Sequence, residues 1–231
     1  GIETLLDLSD KCRGNKLYEY DVLHFTAMAL AAKADELYRE ILILIVKGDL
    51  EKAGELENKL VDMLYGADRL LESHPLMRMQ RWLDMADRMA TNAAEKDEFR
   101  GEALRLVTTW DAPDIRDYAS RLWSGLIRDY YIPRLKAFFN AAHNAEDFDI
   151  YELENRFIAK ATTDGLSPVT AYDDPIDAAE ELFEEYVEDN DVEPYADVAG
   201  VYLPYTVKGG RIVVYLDKEQ MEELFLESKA K

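Results

Sequence analysis

Apolar residues recur in alternating steps of four and three along the first part of the chain, and this spacing constrains the fold more than any other feature. The repeat runs through Leu23, Ala27, Leu30, Ala34, Leu37, Ile41 and Leu44. Because an α-helix completes a turn every 3.6 residues, this spacing keeps one stripe of the helix surface apolar. The pattern predicts a long amphipathic helix. Gly48 suits its C-terminus and Asp49 can cap a second helix, so two helices are expected to meet at a tight corner.

Further helices follow this pair. The dipeptide His74-Pro75 is expected to end the second helix, because the residue before proline is disfavoured in the helical region. A third helix is predicted through Met79 and Met89, and a fourth from about Ala94 to Thr109.

The segment after Trp110 combines a capping carboxylate, an early proline and a further acid, which is typical of a helix start. The predicted helix carries Tyr118 and Leu122 and continues to Tyr131, with a kink expected at Pro133. Trp110 is therefore expected to lie in a corner between helices.

Two more helices are predicted before residue 190. One runs from about Tyr151 to Ala161, and the other opens at Asp174-Pro175, has Asp177 in its first turn and runs to about Tyr186.

The C-terminal part has a different character. No lysine or arginine lies between residues 162 and 207, whereas thirteen acids lie between Asp164 and Asp197. Two β-rich runs, 201–207 and 211–216, flank Gly209-Gly210, which predicts a hairpin, and Asp217 with Gln220 predicts a short last helix.

The predicted fold class is mainly α: a helical bundle of about six to eight helices with a small C-terminal β-hairpin and a short final helix. We expect one helical domain over residues 1–190. Residues 191–231 are then an acidic connector, the hairpin and the last helix, with the hairpin packed on the bundle because a two-stranded hairpin alone is marginal in water.

Net charge restricts the partners. With 27 basic and 48 acidic residues the formal charge is −21, so binding to nucleic acid or to an anionic membrane surface has no electrostatic source. The longest apolar run, 41–46, is far shorter than the roughly 20 residues that span a bilayer. A single cysteine, Cys12, excludes an intrachain disulfide. Because the chain begins at Gly1 without methionine, we expect a processed protein or an excised domain.

Common catalytic and metal-binding motifs are missing. His24, His74 and His143 are far apart in the sequence, and no nucleotide-binding loop or nucleophile elbow is present. The acidic run after Glu188 fails the calcium-loop pattern, because Pro194 and Gly200 stand where glycine and glutamate are required. We therefore predict no metal and no cofactor. Three acids near the corner fit helix capping better than catalysis: Asp111, Asp114 and Asp117.

Five aromatic residues lie close together in the sequence: Trp110, Tyr118, Trp123, Tyr130 and Tyr131. Sugar-binding pockets use flat aromatic faces, with polar groups fixing the hydroxyls. We expect Trp123, Tyr130 and Tyr131 to be packing residues, and Trp110, at a corner, to be a better candidate for ligand contact.

Two segments carry a family resemblance: residues 106–119, LVTTWDAPDIRDYA, and residues 126–134, LIRDYYIPR. They resemble the C-terminal region of the α-N-acetylglucosaminidases, glycoside hydrolase family 89, and weaker agreement extends the likeness over about residues 18 to 190. The resemblance implies an all-helical domain that follows a (β/α)₈ barrel, and the barrel carries two catalytic glutamates that remove terminal α-linked N-acetylglucosamine with retention.

The resemblance also implies a role and a site for this chain. It would be the non-catalytic helical domain, with the upstream barrel of the same protein and a terminal N-acetylglucosamine as partners. Trp110, Ile115 and Tyr118 would contact the substrate, and no catalytic residue would lie in the chain. The implied location is secreted, periplasmic or lysosomal. The alternative is an acidic helical protein-interaction module without a glycosidase role, which should keep most of its apolar residues covered.

Overall fold

The structure is a computed structural model that describes residues 1–110, 116–144 and 146–188, together with the backbone of two short strands. The α-helices of the described residues are α1 (Ile2–Leu6), α2 (Ser9–Cys12), α3 (Lys16–Lys47), α4 (Leu50–Glu72), α5 (Met79–Asp87), α6 (Ala93–Leu106), α7 (Ile132–Asn144), α8 (Ile150–Thr163) and α9 (Pro175–Phe183). Shorter helical turns are a 3₁₀ turn (Pro75–Met77) and two π turns (Ile127–Tyr131 and Glu184–Glu188). The mainly helical fold is therefore confirmed.

Helices α3 and α4 form the predicted corner. Gly48 ends α3 with a φ of 80°, and its N–H donates to the carbonyl of Ile45. The carboxylate of Asp49 then accepts the N–H of Lys52 at 3.4 Å and caps α4. At the other end of α3, Asn15 caps the first turn by accepting the N–H groups of Leu17 and Tyr18. The roles of Gly48 and Asp49 are therefore confirmed, and the Asn15 cap is a further feature that the structure adds.

The larger hydrophobic core lies where α3 and α4 pack against each other and against α9. Its fully buried members include Leu30, Leu37 and Ile41 of the predicted apolar stripe of α3, together with Leu60 and Leu70 of α4. A smaller core forms between α5, α6 and α8, around Met79, Leu83, Leu104, Tyr130 and Phe157.

A buried carboxylate connects these two cores. Asp68 of α4 is fully buried, and its oxygens accept the N–H of Gly125 at 2.8 Å and the side chain of Arg128 at 2.9 Å. Burial raises the pKa of Asp68, although the hydrogen bonds from Arg128 and Gly125 oppose that rise.

The predicted helix through Tyr118 and Leu122 is wrong. Between Arg116 and Gly125 the backbone forms turns and irregular structure with a single bridge at Ser124, and continuous helical structure begins near Leu126. Ser124 pairs instead with the segment before α5, where its N–H donates to Met77 at 2.8 Å and its carbonyl accepts from Met79 at 2.9 Å. These tertiary hydrogen bonds replace the helical ones, which explains why the helical spacing of apolar residues did not predict the structure of this segment.

The kink that the sequence predicts at Pro133 corresponds in position to a π turn. The N–H of Ile132 donates to the carbonyl of Ile127, five residues back, and helix α7 begins at that point. Proline has no N–H to donate to Asp129, the residue four positions back, and a widened turn is one way for the backbone to accommodate this.

The C-terminal strands are β1 (Tyr205–Lys208) and β2 (Arg211–Val214), and they pair antiparallel with Tyr205 opposite Val214. The intervening glycines and the predicted last helix lie outside the described residues. The division near residue 190 and the packing of the hairpin on the bundle stay predictions. Among the described residues, no helix is both long and apolar enough to cross a membrane.

Candidate functional site

Trp110 lies where the chain leaves helix α6. Its N–H donates to the carbonyl of Arg105 at 2.8 Å, and the hydroxyl of Thr108 returns to the carbonyl of Leu104 at 2.8 Å. Trp110 has a φ of 51°, in the left-handed region that non-glycine residues rarely adopt. These hydrogen bonds fix the position at which the indole leaves the helix end.

The rings of Trp110 and Tyr118 lie side by side. Their centroids are 5.2 Å apart and their planes are inclined by 57°. Tyr118 is 74% exposed and Trp110 is partly buried, so the pair presents aromatic surface to solvent. The structure thus brings together two of the three residues that the sequence predicts as substrate-contacting. The third, Ile115, lies outside the described residues.

Asp117 holds the backbone next to Tyr118. Its φ is 61°, its N–H donates to the carbonyl of Thr108 at 2.7 Å, and its own carbonyl accepts the N–H of Ser120 at 3.0 Å. Its carboxylate accepts a hydrogen bond from the guanidinium of Arg134 on α7 at 2.6 Å. The expected role of Asp117 as a cap in the first turn of a helix is wrong, because it occupies a left-handed turn.

Five polar side chains connect this turn to the helices behind it: Arg116, Asp117, Tyr130, Arg134 and Glu154. We call this group the five-residue network. Arg116 donates to Oε1 of Glu154, and the hydroxyl of Tyr130 donates to the same oxygen at 3.0 Å. The hydroxyl of Tyr130 also accepts from Arg134 at 2.9 Å. It therefore joins the Arg116–Glu154 ion pair to the Arg134–Asp117 ion pair.

Burial and neighbouring polar groups together set the protonation states of Tyr130 and Arg134 in the network. Tyr130 is fully buried, and this burial raises the pKa of its hydroxyl well above the ordinary value. Burial acts to lower the pKa of Arg134, but the nearby Tyr130 and Asp117 outweigh it and raise that pKa. At neutral pH the phenol is thus a neutral donor and Arg134 is a cation, the states that their hydrogen bonds require.

The carboxylates of the network are both engaged by arginine, and Glu154 is 1% exposed. This arrangement suits structural support better than acid–base chemistry on a substrate. Within the part of the chain that the structure describes, no group of three or more histidine, cysteine, aspartate or glutamate side chains could hold a metal ion.

The sequence matches a family model described as the alpha-N-acetylglucosaminidase (NAGLU) C-terminal domain over residues 1–185. The chain belongs to this family. The match covers most of the residues that the structure describes, including Trp110 and Tyr118.

The proteins that the chain resembles are much longer than the chain itself. Human alpha-N-acetylglucosaminidase is 24% identical over 182 residues, which cover 73% of this chain and 24% of that protein. Two solved structures of a family 89 glycoside hydrolase from Clostridium perfringens, in complex with 2-acetamido-1,2-dideoxynojirmycin and with PUGNAc, are each 26% identical. They give TM-scores of 0.74 and 0.72 and cover 82% and 83% of this chain. The chain spans 24% of the length of those enzymes.

The sequence pattern does not reveal the five-residue network, although four of its members lie within the two segments that resemble the family: Arg116, Asp117, Tyr130 and Arg134. A usable signal was present in α8, where Glu154 interrupts an apolar stripe that includes Ile150, Phe157 and Ala161. A carboxylate in such a stripe is buried and needs a partner, so an ion pair was predictable there. Its partner Arg116, 38 residues away in the sequence, was not.

Proposed function

We propose that this chain is the non-catalytic helical domain of a retaining exo-α-N-acetylglucosaminidase. In this proposal the domain completes the sugar pocket of an upstream (β/α)₈ barrel in the same protein. Trp110, Ile115 and Tyr118 contact the terminal N-acetylglucosamine, and the two catalytic carboxylates come from the barrel.

The observation that best supports the proposal is the Trp110–Tyr118 pair, which presents aromatic surface to solvent beyond the end of α6. A sugar ring has apolar faces formed by its C–H groups, and these pack well on flat aromatic rings. An aromatic residue that is 74% exposed contributes little to its own fold through burial, so the position of Tyr118 is better explained by contact with another molecule or domain.

Exposed apolar residues elsewhere support a covering partner. On the N-terminal half of α3, Leu17, Phe25 and Met28 are 77%, 46% and 47% exposed, and their spacing places them on one side of the helix. This surface is what a domain of a larger enzyme is expected to show. The alternative function, an acidic helical protein-interaction module, is expected to keep most of its apolar residues covered and has no need of the aromatic corner.

The experiment compares the 231-residue chain with the complete protein that carries it, using an aryl α-N-acetylglucosaminide as substrate. We expect turnover by the complete protein and none by the chain alone, because the described carboxylates of its corner are held by arginines. Turnover by the isolated chain that is abolished by a substitution of one of its own acids would contradict the proposal. A complete protein without activity on any α-N-acetylglucosaminide would favour the interaction module.

A further inference from the structure

The contacts that hold Tyr118 beside Trp110 lead to an inference that rests on the proposed function and extends it. Because Tyr118 is 74% exposed, burial cannot fix its ring, and the backbone on its N-terminal side must do so. That backbone belongs to two consecutive residues of opposite charge, Arg116 and Asp117.

Each of these two residues is anchored in a different helix. Arg116 pairs with Glu154 of α8, with side-chain exposures of 10% and 1%, and its guanidinium lies 4.6 Å from the ring centroid of Tyr151. Asp117 pairs with Arg134 of α7 at 2.6 Å. Two anchors in adjacent residues fix both the position and the rotation of the chain, so the direction in which residue 118 leaves it is fixed as well.

The hydroxyl of Tyr130 couples the two anchors. It donates to Glu154 at 3.0 Å, accepts from Arg134 at 2.9 Å and lies 3.4 Å from a carboxylate oxygen of Asp117. The left-handed φ of Asp117 is unfavourable for a non-glycine residue and persists only where its surroundings hold it. The Arg134 ion pair, the N–H bond to the carbonyl of Thr108 and the N–H of Ser120 on the carbonyl of Asp117 hold it.

We propose that Asp117 and Arg134 are positioning residues for the sugar-contacting corner: their ion pair holds the turn at which Tyr118 is set beside Trp110. Neither residue needs to touch the substrate. They act by keeping the two rings in one arrangement before the sugar binds, so that no binding energy is used to order them.

The test substitutes Asp117→Asn, which removes the charge but keeps a residue type that tolerates a left-handed φ. Its matched control is Glu72→Gln. Glu72 pairs with Arg78 at 3.2 Å with exposures of 22% and 36%, close to the 26% and 27% of Asp117 and Arg134, but it lies outside the five-residue network. Its carboxylate also accepts the hydroxyl of Ser124 at 2.7 Å, and the amide oxygen of glutamine can still accept that bond. If Asp117→Asn fails to fold by circular dichroism, Arg134→Lys, which keeps the positive charge, takes its place.

The first readout is ¹⁹F NMR of the 231-residue chain labelled with fluorotryptophan. The chain has three tryptophans, so the Trp110 resonance is assigned by its loss in Trp110→Phe. We expect Asp117→Asn to move this resonance in the direction of its position in Tyr118→Ala, and Glu72→Gln to leave it unchanged. An unmoved resonance in Asp117→Asn overturns the inference.

The second readout is the kinetics of the complete protein. We expect Asp117→Asn to lower kcat/KM by about 3- to 10-fold, chiefly through KM, since the rings are misplaced and not removed. If Trp110→Ala and Tyr118→Ala lower kcat/KM but Asp117→Asn does not, the positioning role is wrong and the proposed function stands. If neither Trp110→Ala nor Tyr118→Ala changes kcat/KM, the proposed function is wrong. The ¹⁹F resonance of Trp110 alone then decides whether Asp117 orders the two rings.

Discussion

At the scale of single residues, the corner combines two unusual backbone conformations with buried charge. Trp110 and Asp117 both have positive φ values, and each such residue costs on the order of 1 kcal/mol or more. Hydrogen bonds to the carbonyls of Arg105 and Thr108 hold these conformations. Sequence pattern placed Trp110 just beyond the end of the fourth predicted helix, as the structure does. It did not indicate the left-handed φ of Asp117, whose ion-pair partner Arg134 lies 17 positions away in the chain.

A single histidine gives a residue-scale prediction on pH. Nδ1 of His74 accepts the N–H of Leu76 at 3.3 Å and caps the 3₁₀ turn. Burial lowers the pKa of His74 below 6.5; the charge of Arg78 lowers it further, while Glu19 opposes this. Because the unfolded chain then binds the proton more readily, the contribution of neutral His74 is present above about pH 6.5 and is lost as the pH falls through the folded pKa.

The variant for this test is His74→Asn, since asparagine also accepts a hydrogen bond at a helical N-cap but does not titrate. We expect the thermal midpoint to fall less in the variant than in the unaltered chain when the pH is lowered from 7.5 to 5. Equal falls in the two proteins would show that His74 makes no pH-dependent contribution.

At the scale of elements, the helices with strong local signals were predictable and the irregular segment was not. Four residues lie at helix ends and satisfy free backbone groups there: Asn15, Gly48, Asp49 and Asp174. The side chains of Asn15, Asp49 and Asp174 accept backbone N–H groups, and the N–H of the left-handed Gly48 donates to the end of α3. The segment from Arg116 to Gly125 has aromatic and apolar residues at near-helical spacing, yet it is not helical. At its end, Ser124 is hydrogen-bonded to Met77 and Met79, and Gly125 is hydrogen-bonded to Asp68. The local sequence pattern reveals none of these partners.

Helix α4 offers a matched pair of glycines for an element-scale prediction. A Cβ at Gly66 would lie 2.6 Å from Cδ2 of Leu182 on α9, whereas a Cβ at Gly54 would meet nothing within 4 Å. Gly54→Ala should stabilise the chain by about 0.5–1 kcal/mol through helix propensity. Gly66→Ala has the same gain but must displace the buried Leu182, at a cost of about 1–3 kcal/mol.

Chemical denaturation of the two variants measures the difference. We expect Gly66→Ala to be less stable than Gly54→Ala by at least about 1 kcal/mol. Equal stabilities would mean that α9 does not pack tightly on α4 at this position.

At the scale of the whole molecule, one bundle contains two hydrophobic cores and presents an aromatic corner at the smaller one. The composition and the apolar spacing predicted the mainly helical class, and the family membership agrees with the resemblance of residues 106–134. The sequence could not predict how the corner is supported, because the five-residue network joins residues from the turn, the π turn, α7 and α8. Any function of the corner therefore depends on the tertiary arrangement that places Trp110 and Tyr118 together.

The proposed function requires contact between this corner and the sugar, and the kinetics of Trp110→Ala in the complete protein measure the effect of that contact. The control is Met89→Ala, which truncates a side chain that is 75% exposed and lies outside the corner. Loss of the indole surface should lower kcat/KM by about 5- to 150-fold, equivalent to about 1–3 kcal/mol, while Met89→Ala leaves it unchanged. A folded Trp110→Ala enzyme with the kcat/KM of the unaltered protein would contradict the proposed contact, because Trp110 would then only pack the corner.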